Sequence, residues 1–298
     1  MQVVDMFAGM GGASEGARQA GAEVVLAIES DPAIARVYEL NHGDHVRVET
    51  LGAPVDALAR ELRARFEPST LHLHASPPCQ RLSRVNQTTR DPAAGLRLVE
   101  WYLDLVRVLA PRSFSMEQVP HPAVQELLGA RGVPFAIVNA LDFGVPQSRV
   151  RLVAGSAPIV EALERRKGTG PTMLPVHVLP SLRPAARYQL CSATCNQPVK
   201  VRRDGVRITT GHRPMAPGEG GRDLHTPSHT VWGKPGRVYD CESDRVVRKL
   251  TPAECACLQG FPLGYTLCER SAARSQQIVG NAFCPPLAKA VFEAAMAP

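Results

Sequence analysis

Over residues 1–154 short β-rich runs alternate with helical ones, and this alternation constrains the fold more than any other feature of the chain. Residues 2–7 read as a buried strand, 9–12 as a tight turn, and 13–20 as a helix stopped by Gly21. Residues 23–28 form a second apolar strand. Asp31 then suits the N-cap, and Pro32 the first position, of a helix reaching Leu40. Residues 71–75, 112–116, 134–138 and 149–154 read as further strands, and 95–109 as a helix ended before Pro111. Strands interleaved with helices predict an α/β fold: a doubly wound, mostly parallel sheet with helices on both faces.

The character changes after Gly155. Residues 168–236 are rich in Pro, Gly, Arg and His and have few long apolar runs, which predicts a small, loop-rich second domain. After Val247 the helical pattern returns: Thr251, Pro252 and Glu254 have the spacing of a capping box, and residues 285–296 are apolar enough to pack back on the first domain. The expected domains are therefore 1–156, 157–247 and 248–298. Charge follows the same division. The chain carries a net charge of +6, and residues 157–247 alone hold fourteen Lys and Arg against eight Asp and Glu. A basic segment on a neutral core suits a polyanion, although a solvated surface with a chance excess has the same composition.

No apolar run approaches the roughly 20 residues that span a bilayer, and the first residues lack the basic-then-apolar layout of a signal peptide. A soluble cytoplasmic protein is expected. The eight cysteines read as reduced, mostly buried thiols. Neither Cys191/Cys195 nor Cys255/Cys257 has zinc-ribbon spacing, so no metal is expected.

Two segments carry chemistry. Asp5-Met6-Phe7-Ala8-Gly9-Met10-Gly11-Gly12 is a strand, a glycine-rich turn and a helix start, where a ligand can approach the backbone and meet free N–H groups. Glu29, ending the next strand, is placed to grip ribose hydroxyls. Such turns also serve plain packing, and the dinucleotide G-x-G-x-x-G spacing is absent, against a nicotinamide cofactor. In Ser76-Pro77-Pro78-Cys79-Gln80 two prolines stiffen the backbone ahead of a cysteine. That suits a nucleophile, or a rigid loop with an incidental thiol.

Six ordered segments together resemble the motifs of the DNA cytosine-5 methyltransferase family: residues 7–12 (Phe-Ala-Gly-Met-Gly-Gly), 77–80 (Pro-Pro-Cys-Gln), 117–119 (Glu-Gln-Val), 147–151 (Gln-Ser-Arg-Val-Arg), 250–254 with 259–262, and 277–282 (Gln-Ile-Val-Gly-Asn-Ala). The weakly matched stretch between them falls where that family keeps its target-recognition domain. The resemblance implies a class I methyltransferase-like sheet and S-adenosyl-L-methionine as cofactor, leaving as S-adenosyl-L-homocysteine. It also implies methylation of carbon 5 of a flipped-out cytosine in double-stranded DNA. By the same resemblance the Cys79 thiolate adds to carbon 6, and Glu117 protonates ring nitrogen 3, which requires a proton on Glu117 near neutral pH that burial favours. Arg149 and Arg151 hold the base oxygen and steady Glu117. Phe7, Gly9, Gly11, Glu29 and Asn281 contact the cofactor. The basic loop with Arg81, Ser83 and Arg84, and Arg202, Arg203 and Arg213 in the basic domain, contact DNA. A monomer, paired in function with a restriction endonuclease in a bacterium or phage, is implied by analogy.

The sequence also departs from the family. Ser76 stands where most members have glycine, Gln118 stands where most have asparagine, and no acidic residue of the third motif is evident between Asp44 and Leu58. Three alternatives remain open. An amino-methyltransferase would carry an aromatic in place of Cys79. An RNA cytosine methyltransferase of this fold would show a late Cys-Phe-Thr stretch. A non-catalytic DNA-binding relative would need none of Cys79, Glu117 or Arg149.

Overall fold

A computed structural model describes residues 1–78, 92–171, 173–179, 188–191, 200–201, 207–208, 222–223, 228, 230–231, 237–240, 245–267 and 271–297. The chain begins with β1 (Gln2–Met6), α1 (Gly12–Ala20), β2 (Glu23–Glu29), α2 (Pro32–His42), β3 (Val46–Val48) and α3 (Val55–Arg65). It continues through β4 (Leu71–Ala75), α4 (Pro92–Leu109), β5 (Ser113–Gln118), α5 (Pro122–Ala130), β6 (Phe135–Asn139), β7 (Val150–Gly155) and α6 (Ala157–Arg165). The seven strands form one sheet in the order β3-β2-β1-β4-β5-β7-β6. Pairing is parallel except that β7 runs antiparallel to both β5 and β6. The expected α/β fold is thus present.

Local chemistry explains the elements. Val3, Val4 and Met6 are fully buried, as a strand covered on both faces requires. Gly21 caps α1 at φ 83°, a left-handed conformation that only glycine adopts without strain. Asp31 Oδ1 accepts from Ala33 N at 2.9 Å and from Ile34 N at 3.3 Å, with Pro32 at the first helical position as expected. The sequence pattern did not reveal β3, α3 and α5. In α3, Leu58, Ala59 and Leu62 supply the buried stripe, and α5 starts at Pro122 behind His121 as N-cap.

Two compact units divide the chain: Met1–Phe143 with Val150–Gly170 and Ala282–Pro298, and Gly144–Arg149 with Pro171–Asn281. The first holds the sheet and α6. It also holds the last helix, here α10 (Pro285–Met296), which packs on α1. That contact needs glycine: a Cβ on Gly16 would lie 2.4 Å from Ala288 Cβ, and one on Gly12 would lie 2.1 Å from Phe283 O.

The second unit contains α7 (Pro175–Val178), β8 (Tyr188–Cys191), β9 (Lys200–Val201), β10 (Arg207–Ile208), β11 (Arg222–Asp223), β12 (Arg237–Asp240), β13 (Arg245–Lys249), α8 (Pro252–Leu258) and α9 (Ala272–Asn281). Four of its strands form an antiparallel sheet, β11-β8-β12-β13. The capping box forms as its spacing predicts: Thr251 Oγ1 accepts from Glu254 N at 3.2 Å, and Glu254 Oε2 accepts from Thr251 N at 2.8 Å. No described helix is long and apolar enough to cross a membrane.

Candidate active site

Strand order reverses between β1 and β4, the strands on either side of the switch point where open α/β sheets bind ligands at their carboxyl ends. The turn leaving β1 occupies that place. Phe7 (φ 56°), Gly9 (φ 57°) and Gly11 (φ 93°) are all left-handed, and Phe7 is one of two described non-glycine residues in that region. Open space lies where Gly9 would carry a Cβ: apart from its two chain neighbours, no described residue comes within 4 Å of that point. The edge-to-face contact between Phe7 and Trp101 of α4 has ring centroids 6.2 Å apart.

Glu29 ends β2 beside this turn. Its Oε2 accepts from Gly9 N at 2.9 Å, and its Oε1 accepts from Asp31 N at 2.9 Å. A carboxylate has about four lone-pair sites, so Oε2 keeps capacity for a further donor. Asp5, just behind the turn, is fully buried. Its Oδ2 accepts from Ser14 Oγ at 2.6 Å, and its Oδ1 has no partner among the described residues. Burial pushes its carboxyl up to about 7 against the lowering effect of the Ser14 bonds, and the charge of Glu29 adds to the rise. An open turn, a fixed carboxylate and an adjacent aromatic fit an adenosyl group carrying ribose hydroxyls.

The sequence showed no acidic partner in the third motif. β3 supplies a position for it: Glu49 N donates to Glu29 O at 3.0 Å, which sets Glu49 next to Glu29 at the same end of the sheet. Its carboxylate is half-exposed and bridges to Arg47 Nε at 2.7 Å. The three residues of β3 before Glu49 are too short a run to signal it in the sequence.

Further along the same sheet, Glu117 stands near the end of β5. The β5–β7 register sets Glu117 opposite Val153, so Arg151 is its diagonal neighbour on β7. Arg151 Nε lies 2.8 Å from Glu117 Oε1, and both side chains are largely buried. Gln118, buried next to Glu117, donates from Nε2 to Pro77 O at 3.1 Å and accepts from Val119 N at 2.8 Å. Its extra methylene relative to asparagine is used to reach the Ser76-Pro77-Pro78 segment.

Arg149 has a different setting. It is 2% exposed and belongs to the second unit. Its Nη1 donates to Val231 O at 2.8 Å, and its Nη2 donates to Gly280 O at 3.0 Å. Gln147 works beside it, accepting from Val231 N at 2.7 Å and donating to Leu258 O at 3.1 Å. Ser148 N donates to Ser228 O, and Ser228 N donates to Pro146 O, each at 3.0 Å. Residues 146–149 therefore clasp Ser228, Val231, α8 and α9 within this unit. Asn281 is the exposed last residue of α9. Cys79, Arg81, Ser83, Arg84, Arg202, Arg203 and Arg213 lie outside the described residues.

The C-5 cytosine-specific DNA methylase family matches residues 1–127 and 188–297. The chain belongs to that family. It is 28% identical to the Type II methyltransferase M1.HphI of Haemophilus parahaemolyticus, over 98% of this chain and 86% of that protein. It is 25% identical to the Type II methyltransferase M.MthTI of Methanothermobacter thermautotrophicus, over 97% and 95%. Its fold is similar to that of a prophage-encoded Escherichia coli protein described as a DNA modification methyltransferase. That likeness has a TM-score of 0.67 at 19% identity and covers 99% of this chain and 98% of the other. This methylase transfers a methyl group from S-adenosylmethionine to carbon 5 of cytosine in DNA.

Proposed function

We propose that the methylase works through a covalent Cys79 adduct on a cytosine flipped out of double-stranded DNA, with Glu117 as the acid. The observation that carries this reading is the buried Glu117–Arg151 pair at 2.8 Å. Cytosine is a poor nucleophile at carbon 5. Adding the Cys79 thiolate to carbon 6 forms the S–C6 bond, and a proton from Glu117 at ring nitrogen 3 takes up the displaced electron pair, leaving carbon 5 enamine-like. Arg151 holds the carboxyl of Glu117 in place with a permanently charged fork. After methylation, loss of the carbon 5 proton to water breaks the S–C6 bond and expels the Cys79 thiolate, and ring nitrogen 3 returns its proton to Glu117, which restores the ring. A base stacked in a duplex is out of reach of Cys79, so flipping it out costs a few kcal/mol.

S-adenosylmethionine, when bound, supplies the methyl group on a sulfonium. Glu29 would hold its ribose hydroxyls, Phe7 its adenine face, and the Gly9 and Gly11 turn and Asn281 the remainder. Glu49 is the acidic residue best placed to face the adenine amino group. Arg149 serves as an internal clasp that keeps the second unit in shape. DNA contacts fall to Arg81, Ser83 and Arg84, and to Arg202, Arg203 and Arg213 in the basic segment of residues 157–247. Most of these are phosphate contacts. Residues 1–156 and 248–298 serve cofactor and chemistry. The chain is read as a cytoplasmic monomer, and the likeness to Type II methyltransferases supports methylation that protects DNA from a cognate restriction endonuclease.

A duplex carrying 5-fluorocytosine tests the mechanism, because fluorine cannot leave carbon 5 as a cation. With cofactor present, the wild type should form a complex that survives denaturing electrophoresis. Cys79→Ser should abolish both the complex and methylation. Glu117→Gln should lower kcat by about 10²–10⁴-fold with DNA still bound. Carbon 5 methylation by a Cys79→Ala protein would sink the proposal.

A further inference from the structure

Every residue of β4 is buried, yet two of its five are histidines, His72 and His74. Parallel pairing sets them directly opposite Ser113 and Ser115 of β5. One unbroken line of side chains results. His72 Nδ1 is 2.7 Å from Ser113 Oγ, and His72 Nε2 is 2.9 Å from Ser115 Oγ. His74 Nδ1 is 2.9 Å from the same Ser115 Oγ, and His74 Nε2 is 3.1 Å from Ser76 Oγ. Aromatic rings close the line off from water: His74 stacks on Phe283 at 5.5 Å, and His72 meets Phe292 edge-on at 5.3 Å. Burial pushes both imidazoles down to about 3, so both are neutral wherever the enzyme works.

A neutral imidazole has one donor and one acceptor nitrogen, and a hydroxyl has one proton to give. Both nitrogens of each ring are therefore partnered inside the line, one as donor and one as acceptor, and the bond to Ser76 uses the one nitrogen of His74 that Ser115 does not. Linked hydrogen bonds of this kind polarise one another.

Ser76 matters because it lies three residues ahead of Cys79. Pro77 and Pro78 have no N–H, so the two residues before Cys79 cannot be fastened by backbone donors. Among the described residues three fasteners remain: Ser76 N on Met6 O at 3.1 Å, Gln118 on Pro77 O at 3.1 Å, and the His74–Ser76 bond. A glycine at 76 would lack the third.

We propose that His74 is a positioning residue for methyl transfer, fixing through Ser76 the point from which the Pro77-Pro78-Cys79 segment departs. The proposal rests on the Cys79 reading above. Full-length wild type, Ser76→Ala, Ser76→Thr, His74→Phe and the His74→Phe/Ser76→Ala pair are compared by kcat, by rate of trapping on a 5-fluorocytosine duplex, and by S-adenosylmethionine affinity. Ser76→Ala should lower kcat and trapping together by about tenfold, equivalent to about 1.4 kcal/mol in the barrier, with cofactor affinity unchanged. Ser76→Thr, which keeps the hydroxyl, should restore both. Because the two residues act through one bond, the double variant should lose no more than the worse single one. A kcat in Ser76→Ala equal to wild type, or losses that multiply in the double variant, would overturn the positioning role while trapping by the wild type leaves Cys79 standing. A wild type that methylates but never traps overturns the Cys79 reading, and this one with it. Ser76 is not fully buried, so its variants should fold even if His74→Phe does not.

Discussion

Arg149 and Arg151 stand two residues apart in one motif but do different physical work. Arg151 sits on the sheet of the first unit, where its guanidinium meets the carboxyl group of Glu117. Arg149 closes a clasp in the second unit, where its fork meets the backbone carbonyls of Val231 and Gly280. A guanidinium facing an acidic side chain can serve a reaction in which a proton moves. A fork spent on two backbone carbonyls, 82 and 131 residues away in the chain, serves to tie distant segments together.

Substitution can break this contrast. Arg151→Ala should cost about 10²–10³-fold in kcat, the usual effect of removing a preorganised charged or polar group from a reacting centre, with little change in melting temperature. Arg149→Ala should act the other way. It leaves two buried carbonyls without donors, about 1–3 kcal/mol each, so thermal unfolding should shift down by several degrees. The contrast fails if Arg149→Ala keeps its melting temperature and loses activity, or if Arg151→Ala melts early.

The clasp also shows why the sequence was only partly readable. The glycine-rich turn depends on neighbours in the chain: Gly9, Gly11, Glu29 and the Asp31 cap all lie close together in sequence, and local rules found the turn, the strand end and the cap. The α8 capping box was legible for the same reason. Arg149 was not, because its partners are carbonyls of residues 231 and 280, and a carbonyl leaves no trace in residue identity. The role of Gln118 depended on side-chain length measured against a distant loop. Trp101 beside Phe7 needed the helix to be placed in space before it could be seen. β3 escaped notice because three residues are too few for periodicity to register.

The cofactor end allows a smaller, sharper test. Glu29 makes charge-assisted bonds of roughly 1.5–3 kcal/mol each, so Glu29→Ala should weaken S-adenosylmethionine binding by about one to two decades. Because Glu29 also holds Gly9 N, Glu29→Gln should recover part of the loss. Calorimetric titration with unchanged affinity in Glu29→Ala would remove Glu29 from the cofactor site.

The smallest expected effect concerns buried titratable groups on the neighbouring strands β1 and β4 under acid. His72 and His74 have folded values near 3, below their unfolded 6.5, so the unfolded chain binds more protons between these limits. Their contribution to stability is complete above pH 6.5 and is lost as pH falls toward 3. Asp5, raised to about 7, has the opposite sign: its contribution is complete below its unfolded value of 3.8 and is lost as pH rises toward 7. At pH 5 the histidine pair should account for the uptake of about two protons on unfolding and Asp5 for the release of about one. Replacing both histidines by glutamine should lower the measured uptake by about two, read from the pH dependence of urea midpoints. An unchanged uptake would mean the imidazoles are already charged in the folded state.

The fit of α10 against Gly12 and Gly16 of α1 has a consequence for synthesis. The helix that leaves the glycine-rich turn is made about 270 residues before the surface that covers it. At 5–20 residues per second that delay is roughly 15–50 s. During this interval the face of α1 meant for Ala288 is open to water and to other chains, while the whole second unit is made and begins to fold. Of the two units, the one completed last is therefore the one started first, and a methylase whose translation stops short of Pro285 would lack the cover of the helix that begins at its glycine-rich turn.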